Sequence, residues 1–241
     1  MKENINYVDF PALEHADADG LLAMGGGLDK DTLLSAYAQG IFPWYNQGQP
    51  ILWWSPDPRL VLYPSEFKLS RSLRKRIRNS AYSVTINEHF AEVISACQTR
   101  GAASLEAVQE DTWISEDMRR AYIELHRHNY AHSIEINHNG ELIGGLYGIA
   151  LGSVFFGESM FSRRSDTSKI ALFALCQWLQ EKQFSVIDCQ IASNHLISLG
   201  AREINRGTFV KLLKNINIKQ SDTLFKQGFR RYWTDNVIST L

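Results

Sequence analysis

Three polar side chains interrupt apolar segments in the second half of the chain. Two of them, Asp188 and Gln190, lie in the β-rich segment Phe184–Ile191, where strand alternation would place both on one face. Aspartate is uncommon inside strands because burying its charge without partners is costly. Asp188 is therefore either part of a functional site or a carboxylate bound by backbone amides at the strand end.

The third polar side chain is Glu158, which follows Phe155 and Phe156 at the end of another predicted strand. It could form an ion pair with the nearby Arg163, or it could face the same site as Asp188. Two acids and one amide within apolar segments favour a lined pocket over a solvated surface. Such a pocket could accept hydrogen bonds, or a proton, from a bound group.

The histidines and cysteines do not form a metal-binding pattern. Four histidines crowd one region, at His126, His128, His132 and His138. The pair His128 and His132 straddles the predicted end of a helix, and no cysteine joins it. The three cysteines are widely spaced, which fits reduced thiols in a cytoplasm. No metal ion and no cofactor is expected.

Two glycine-containing segments match phosphate-binding loops only loosely. Gly25–Gly27 lacks the spacing of a strand-borne dinucleotide motif, so it predicts a turn. Gln98–Ala103 fits the loose pattern with which acetyltransferases bind the pyrophosphate of coenzyme A. That loop should follow a strand, whereas this segment follows a predicted helix. Neither segment predicts a nucleotide site.

The segment Ile41–Arg59 is rich in residues that carry rings. It holds five aromatic residues and four of the six prolines in the chain. Proline fixes backbone angles, so this segment is expected to be rigid without being a helix or a central strand. Aromatic side chains on such a loop could form one wall of a pocket.

The apolar patterns that would position these groups are those of an α+β protein. Helices are predicted over residues 30–39, 87–97, 115–129 and 168–182, and strands over residues 133–137, 141–150, 153–156 and 184–191. Asn139-Gly140 is a strong hairpin signal between the first two strands. A meander followed by a helix and a buried strand predicts a mixed sheet.

Composition excludes a largely disordered chain, because 44% of the 241 residues are hydrophobic and only 21% are charged. No uninterrupted apolar run reaches the roughly 20 residues of a membrane-spanning helix. The first residues show no secretory signal. We expect a cytoplasmic, monomeric protein without a membrane partner.

One short segment, Lys68–Arg78, departs from the near-neutral charge balance. Six of its eleven residues are basic and none is acidic, and subtracting these six charges from the net charge of −1 leaves −7 for the rest. The basic residues are Lys68, Arg71, Arg74, Lys75, Arg76 and Arg78. The segment is either the solvated face of a helix or a localised contact for phosphates.

Several segments together resemble the bacterial leucyl/phenylalanyl-tRNA-protein transferases. They follow the family order and run from Gly20 to about Ala201. The matching segments are residues 20–26, 40–44, 51–59, 112–114, 132–135, 144–148, 156–163, 187–190 and 198–201. The sequence is therefore identified as a member of this family.

The resemblance implies an α+β fold with two domains. A small N-terminal α/β domain, residues 1–62, would pack on a GNAT-like (acetyltransferase-like) mixed-sheet domain, residues 63–241. The implied activity is that of an aminoacyltransferase. It would transfer leucine or phenylalanine, and less often methionine, from aminoacyl-tRNA to a protein with N-terminal arginine or lysine. The product would enter the N-degron route of degradation.

By position in the matching motifs, the resemblance implies that Asp188, Gln190 and Glu158 form the catalytic group. The residues that would line a pocket for the aminoacyl group and the terminal adenine are Trp44, Trp113, Leu146, Phe155, Met160, Leu172, Leu179 and Ile187. The basic segment would bind tRNA phosphates. Residues 99–110 form a loop longer than the usual family segment, and Leu146 stands where methionine is common.

Other functions remain open. A peptidoglycan bridge-building aminoacyltransferase would share the fold and the donor, although the tryptophan–proline segment and Asp188 with Gln190 argue against it. An acetyltransferase would need a coenzyme A loop in the right context. A non-catalytic tRNA-binding or N-degron-binding protein would keep the basic segment or the acidic pocket. Asp188 itself could be a general base or a group that orients an amine.

Overall fold

The computed structural model describes residues 6–99 and 114–214, together with residues 216, 229, 233, 237 and 239. Trp113, and all of the predicted long loop except residue 99, lie outside the described residues. The strands are β1 (Leu21–Met24), β2 (Phe42–Pro43), β3 (Leu52–Trp54), β4 (Arg59–Leu62), β5 (Ser83–Ile86), β6 (Ala131–His138), β7 (Glu141–Leu151), β8 (Val154–Ser162), β9 (Val186–Gln190) and β10 (Arg202–Ile204). The α-helices are α1 (Lys30–Ala38), α2 (Arg71–Asn79), α3 (Phe90–Gln98), α4 (Glu116–Arg127), α5 (Thr167–Glu181), α6 (Asn194–Ser198) and α7 (Arg206–Leu213).

A small antiparallel sheet with strand order β1-β3-β2 forms near the N-terminus. Helix α1 follows β1 and is capped at its N-terminus by Asp29, whose side chain accepts the backbone N–H of Thr32 at 3.0 Å. Beyond the end of α1 the chain turns at Gly40, where the backbone is left-handed (φ 81°) and glycine avoids the strain of a side chain. The turn leads directly into the predicted ring-rich segment, which contains β2 and β3.

The larger sheet has the strand order β10-β4-β9-β8-β7-β6-β5 among the described residues. Strands β5 to β8 pair antiparallel in chain order, with α3 and α4 between β5 and β6, and β8 and β9 pair in parallel after the crossover through α5. The predicted α+β class with a mixed sheet is confirmed. The predicted strand at 153–156 continues to Ser162, because β8 keeps pairing with the long strand β7.

Strand β4 is the first strand of the larger sheet in chain order and follows the strands of the small N-terminal sheet. The expected division at residue 62 places it in the N-terminal domain, but it lies in the larger sheet between β10 and β9. Its side chains alternate between the two sides of the sheet, with Val61 on one side and Leu60 and Leu62 on the other. The exact domain boundary stays a prediction.

Apolar side chains fill both sides of the larger sheet. Helices α1, α3, α4 and α7 contribute to the cluster on one side, and α2 and α5 to the cluster on the other. Helix α5 is the most deeply buried of these, with ten buried residues out of fifteen. None of the described helices is both long enough and apolar enough to cross a membrane.

Candidate active site

A cavity of about 500 Å³ opens where strands β8 and β9 separate. The two strands pair from Val154 with Val186 to Phe156 with Asp188. Beyond these pairs, residues 157–160 of β8 and 189–190 of β9 line the cavity. The volume lies in the range of small-ligand sites. Divergence of a parallel strand pair thus creates the space for a site inside the larger sheet.

The walls of this cavity are mostly apolar and come from both parts of the chain. The ring-rich segment contributes Phe42, Pro43 and Trp44. Trp44 is 39% exposed, and its ring lies 5.9 Å from that of Trp54, which donates its indole N–H to the Trp44 carbonyl at 2.6 Å. The other walls come from β7, α5 and α6, with Leu146, Tyr147, Leu172, Leu175, His195 and Leu196.

Six of the eight residues predicted for the pocket line this cavity, namely Trp44, Leu146, Phe155, Met160, Leu172 and Ile187. Trp113 lies outside the described residues. Leu179 is not part of the lining but is fully buried in the core. Its carbonyl accepts the N–H of Phe184 at 2.8 Å, so it packs near the start of β9, whereas the cavity lies at the end of that strand.

Glu158 is the carboxylate of the cavity. Its Oε1 accepts the Tyr37 hydroxyl at 2.7 Å and the Gln190 side-chain amide at 3.3 Å, and its Oε2 accepts the Tyr122 hydroxyl at 2.8 Å. The two tyrosine hydroxyls also contact each other. The alternative ion pair with Arg163 does not form, because that guanidinium donates to the Leu142 carbonyl at 2.7 Å.

Burial raises the pKa of Glu158 to about 7, and the nearby Asp188 charge adds to this, while the hydrogen bonds from Tyr37 and Tyr122 oppose it. Burial, and next the charge of Glu158, raise the pKa of both tyrosines well above their ordinary value. The tyrosines therefore stay protonated and donate, while Glu158 can change its charge near neutral pH.

Asp188 does not line the cavity. Its side chain is fully buried, and its two carboxylate oxygens accept Nε and Nη2 of Arg59 at 2.8 and 2.7 Å. Its Oδ1 also accepts the backbone N–H of Gln190 at 3.0 Å. Asp188 thus combines the backbone-amide bond considered from sequence with an ion pair that the sequence analysis missed.

Asp188 and Gln190, which strand alternation predicted on one face of β9, have different surroundings. Ile187, Cys189 and Gln190 line the cavity, whereas Asp188 does not. Gln190 has a left-handed backbone (φ 62°), and the pairing of β9 with β4 shifts register before Leu60 meets Gln190. This irregularity interrupts the regular pairing at the end of the strand, where the Gln190 side-chain amide donates to Glu158.

Sequence reasoning missed Tyr37, Tyr122 and Arg59. Both tyrosines are fully buried. Tyr122 follows Met118 by one helical turn on the apolar face of α4, which is the only local signal that it points inward. Arg59 stands immediately before the apolar run of β4, and an arginine in that position is a signal for a buried partner.

The predicted basic segment forms helix α2 and the residues just before it. Leu73 and Ile77 are buried against the larger sheet, while the basic side chains are exposed. Arg76 forms an ion pair with Asp166 at 3.0 Å, close to the start of α5. The remaining cations of this segment form a basic surface.

The histidines of the predicted crowded region have separate surroundings. His126 stacks on Phe90, His128 contacts Glu124, and the Nδ1 of His132 contacts the Asn87 side chain at 2.9 Å. Within the described part of the chain, no three histidine, cysteine or acidic side chains converge as a metal site would require.

Comparison with solved structures finds similarity at low identity. The chain is similar to a GCN5-related N-acetyltransferase from Kribbella flavida, with 11% identity, a TM-score of 0.38 and coverage of 69% of this chain and 57% of that chain. It is also similar to the L-PGS structure from Bacillus licheniformis, with 11% identity, a TM-score of 0.40 and coverage of 69% and 54%.

Comparison of sequences finds much closer relatives. A leucyl/phenylalanyl-tRNA–protein transferase of Pseudomonas fluorescens is 52% identical over 212 residues, covering 87% of this chain and 92% of that protein. One of Syntrophobacter fumaroxidans is 54% identical over 204 residues, covering 85% and 86%. The family model described as leucyl/phenylalanyl-tRNA protein transferase matches residues 61–214, and the model of its N-terminal domain matches residues 26–57. The chain belongs to the leucyl/phenylalanyl-tRNA–protein transferase family.

Proposed function

We propose that this protein transfers leucine or phenylalanine, and less readily methionine, from aminoacyl-tRNA to an acceptor protein that begins with arginine or lysine. The transfer forms a peptide bond, and the extended acceptor is thereby marked for N-degron-dependent degradation. The observation that carries this proposal is the position of Glu158, a hydrogen-bonded carboxylate on the wall of a mostly apolar cavity. An apolar donor side chain and a basic acceptor residue can meet there.

The apolar walls account for the choice of donor. Leu146, Phe155, Met160 and Leu172 present hydrocarbon and ring surface to the cavity. A hydrophobic pocket discriminates by roughly 1 to 3 kcal/mol per methylene group, so leucine, phenylalanine and methionine overlap as substrates while charged side chains are rejected.

The reaction is aminolysis of an activated ester. The α-amine of the acceptor attacks the ester carbonyl, the new C–N bond forms, the bond to the ribose 3′-oxygen breaks, and that oxygen takes up the proton that the amine loses. An N-terminal amine has a pKa of about 7.7 to 8, so a useful fraction is neutral near pH 7 and orientation matters more than a strong base.

Gln190 and Glu158 are the groups that contact the acceptor in this mechanism. Gln190 donates its side-chain N–H to Glu158. The side-chain carbonyl oxygen of Gln190 can then accept an N–H of the attacking amine. In its ionised form, Glu158 supplies the negative charge that favours an arginine or lysine side chain. Asp188 acts through the Gln190 backbone, because its own oxygens are bound by Arg59.

Two surfaces support recognition of the tRNA. The partly exposed ring of Trp44 borders the cavity and can stack the unpaired terminal adenine. The exposed cations of the Lys68–Arg78 segment can bind phosphates of the acceptor stem, which would position the tRNA without reading its sequence.

The test is incubation of the purified protein with labelled Phe-tRNA and peptides that differ only in their first residue. Transfer restricted to peptides that begin with arginine or lysine supports the proposal. Transfer to a cell-wall precursor, acetylation from acetyl-CoA, or tRNA binding without single-turnover transfer would each contradict it.

A further inference from the structure

Arg59 is a fully buried arginine at the start of β4. Its Nε and Nη2 donate to the two carboxylate oxygens of Asp188, and its Nη1 donates to the carbonyl oxygen of Gly40 at 3.2 Å. The rings of Phe42 and Phe209 lie 4.7 and 4.8 Å from the guanidinium carbon. All three nitrogens and two aromatic contacts therefore fix this group in place.

The bond from Arg59 to Gly40 holds the end of helix α1. Gly40 lies two residues beyond Ala38, the last residue of that helix, and its backbone N–H donates to the carbonyl of Tyr37 at 3.0 Å. The Tyr37 hydroxyl in turn donates to Oε1 of Glu158 at 2.7 Å. Nη1 of Arg59 is thus connected to the Glu158 carboxylate through Gly40 and Tyr37.

The bonds from Arg59 to Asp188 hold the end of strand β9. Asp188 accepts the backbone N–H of Gln190, a residue with a left-handed backbone conformation. The Gln190 amide donates to Oε1 of Glu158 at 3.3 Å, the same oxygen that accepts from Tyr37. The two segments joined by Arg59 therefore supply both donors to one carboxylate oxygen.

We infer that Arg59 is a positioning residue that fixes the spacing between α1 and the end of β9, and thereby holds Tyr37 and Gln190 on Oε1 of Glu158. Arg59 does not line the cavity itself. A lysine keeps the charge but carries its three N–H donors on one nitrogen, so it cannot reproduce the two parallel hydrogen bonds to Asp188 together with the bond to Gly40. The consequence for transfer rests on the proposed function, whereas the effect on Glu158 does not.

The first test is a ¹³C NMR titration of protein labelled at the glutamate carboxyl carbons, with the Glu158 signal identified by its absence in Glu158→Gln. Hydrogen bonds to the carboxylate favour its charged form, so weakening two of them should raise the apparent pKa of Glu158. We expect a rise of about half a unit or more in Arg59→Lys. Phe209→Leu keeps the charge of Arg59 and removes one of its aromatic contacts, so it should give a smaller rise in the pKa of Glu158. This variant provides the test if Arg59→Lys does not fold.

The matched control is Val84→Ala, a buried substitution in β5 at the opposite edge of the larger sheet from β10. It lowers stability without touching Arg59, so the Glu158 titration should be unchanged. Identical titrations of Glu158 in the wild type, Arg59→Lys and Phe209→Leu would overturn the inference, as would an equal shift in Val84→Ala.

The second test measures transfer well below the melting temperature of each variant. We expect kcat of Arg59→Lys to fall about tenfold or more while KM for aminoacyl-tRNA stays within about twofold, because small displacements of positioned groups slow chemistry more than binding. An unchanged kcat would overturn the role of Arg59 in transfer. A wild type without transfer activity would overturn the proposed function alone, and the titration would still decide the inference.

Discussion

The hydroxyl of Tyr37 in helix α1 donates to Glu158 of strand β8 at 2.7 Å, across 121 residues of sequence. A helix near the small N-terminal sheet thus completes the surroundings of a carboxylate in the larger sheet. Tyr122 of α4 completes them from a third element. The candidate site depends on the packing of both parts of the chain, and its predictions centre on Glu158.

Replacement of Glu158 with glutamine should weaken the preference for basic acceptors. The amide keeps the size of the side chain but removes its negative charge, so KM for a peptide that begins with arginine should rise about tenfold or more, equivalent to about 1.4 kcal/mol. Peptides with an uncharged first residue should lose little. Steady-state kinetics with the two peptides measure this, and Glu141→Gln at an exposed position is the control. An unaltered preference would remove Glu158 from acceptor recognition.

The raised pKa of Glu158 predicts a pH dependence of stability. Between the ordinary glutamate pKa of 4.5 and the folded value of about 7, the folded protein holds a proton that the unfolded chain has released. The contribution to the free energy of unfolding is fully present below pH 4.5 and is lost as pH rises through 7. As pH rises from 4.5 to above 7, the free energy of unfolding of the wild type should therefore fall by up to about 3 kcal/mol relative to that of Glu158→Gln.

Urea unfolding of both proteins at pH 4.5, 6 and 8 measures this difference, because contributions from other groups cancel between them. The exposed Glu141→Gln variant should track the wild type at each pH. A constant gap between wild type and Glu158→Gln across the three values would contradict the raised pKa.

The elements with strong local patterns could be predicted from sequence. Asn139-Gly140 connects β6 and β7 as predicted, with left-handed backbone at both residues. The apolar segment predicted over 168–182 is α5, because a helix buried on most of its surface needs apolar residues on most positions. These features depend on neighbours in sequence, and sequence reasoning finds them.

The contacts that complete the site depend on distant residues. Arg59 and Asp188 are 129 positions apart, and Tyr122 and Glu158 are 36 apart. A left-handed residue such as Gln190 also carries no clear signal, because this conformation is strained for residues other than glycine and is imposed by tertiary contacts. Strand alternation therefore predicted which residues lie near the site but not the ion pair that binds Asp188.

Replacement of Trp44 should weaken donor binding. Stacking of a base on an aromatic ring is worth about 1 to 3 kcal/mol, so Trp44→Ala should raise KM for aminoacyl-tRNA by about fivefold to a hundredfold or more. Trp44→Phe keeps a ring and should recover most of this loss. Equal effects of the two substitutions would indicate that stacking is not the role of this side chain.

Neutralising the basic surface of α2 should reduce the salt dependence of tRNA binding. Each phosphate contact contributes about 0.7 to 0.9 to the slope of log affinity against log salt concentration. The triple variant Arg71→Gln, Arg74→Gln and Arg78→Gln should therefore lose about 2 to 3 units of slope. Arg76 is left in place because it binds Asp166. Filter binding at several salt concentrations measures the slope.

The control for this experiment changes three arginines on α4 to glutamine: Arg119, Arg120 and Arg127. These arginines are paired with Glu116 and Glu124. The slope should stay close to that of the wild type, because the two acids already offset most of the charge of the three arginines. A slope that falls equally in both triple variants would show that net charge, and not the α2 surface, governs binding.

Asp188 and Gln190 should differ in how their replacement affects the protein. Asp188→Ala leaves the buried Arg59 charge without its partner, so the free energy of unfolding should fall by about 3 to 5 kcal/mol. Gln190→Ala removes a partly exposed side chain and should cost much less stability while lowering kcat, because the amine loses its orienting group. Chemical unfolding and single-turnover transfer separate the two effects. Full stability with normal turnover in Asp188→Ala would remove Asp188 from both roles, since neither its ion pair nor its bond to the Gln190 backbone would then matter for transfer.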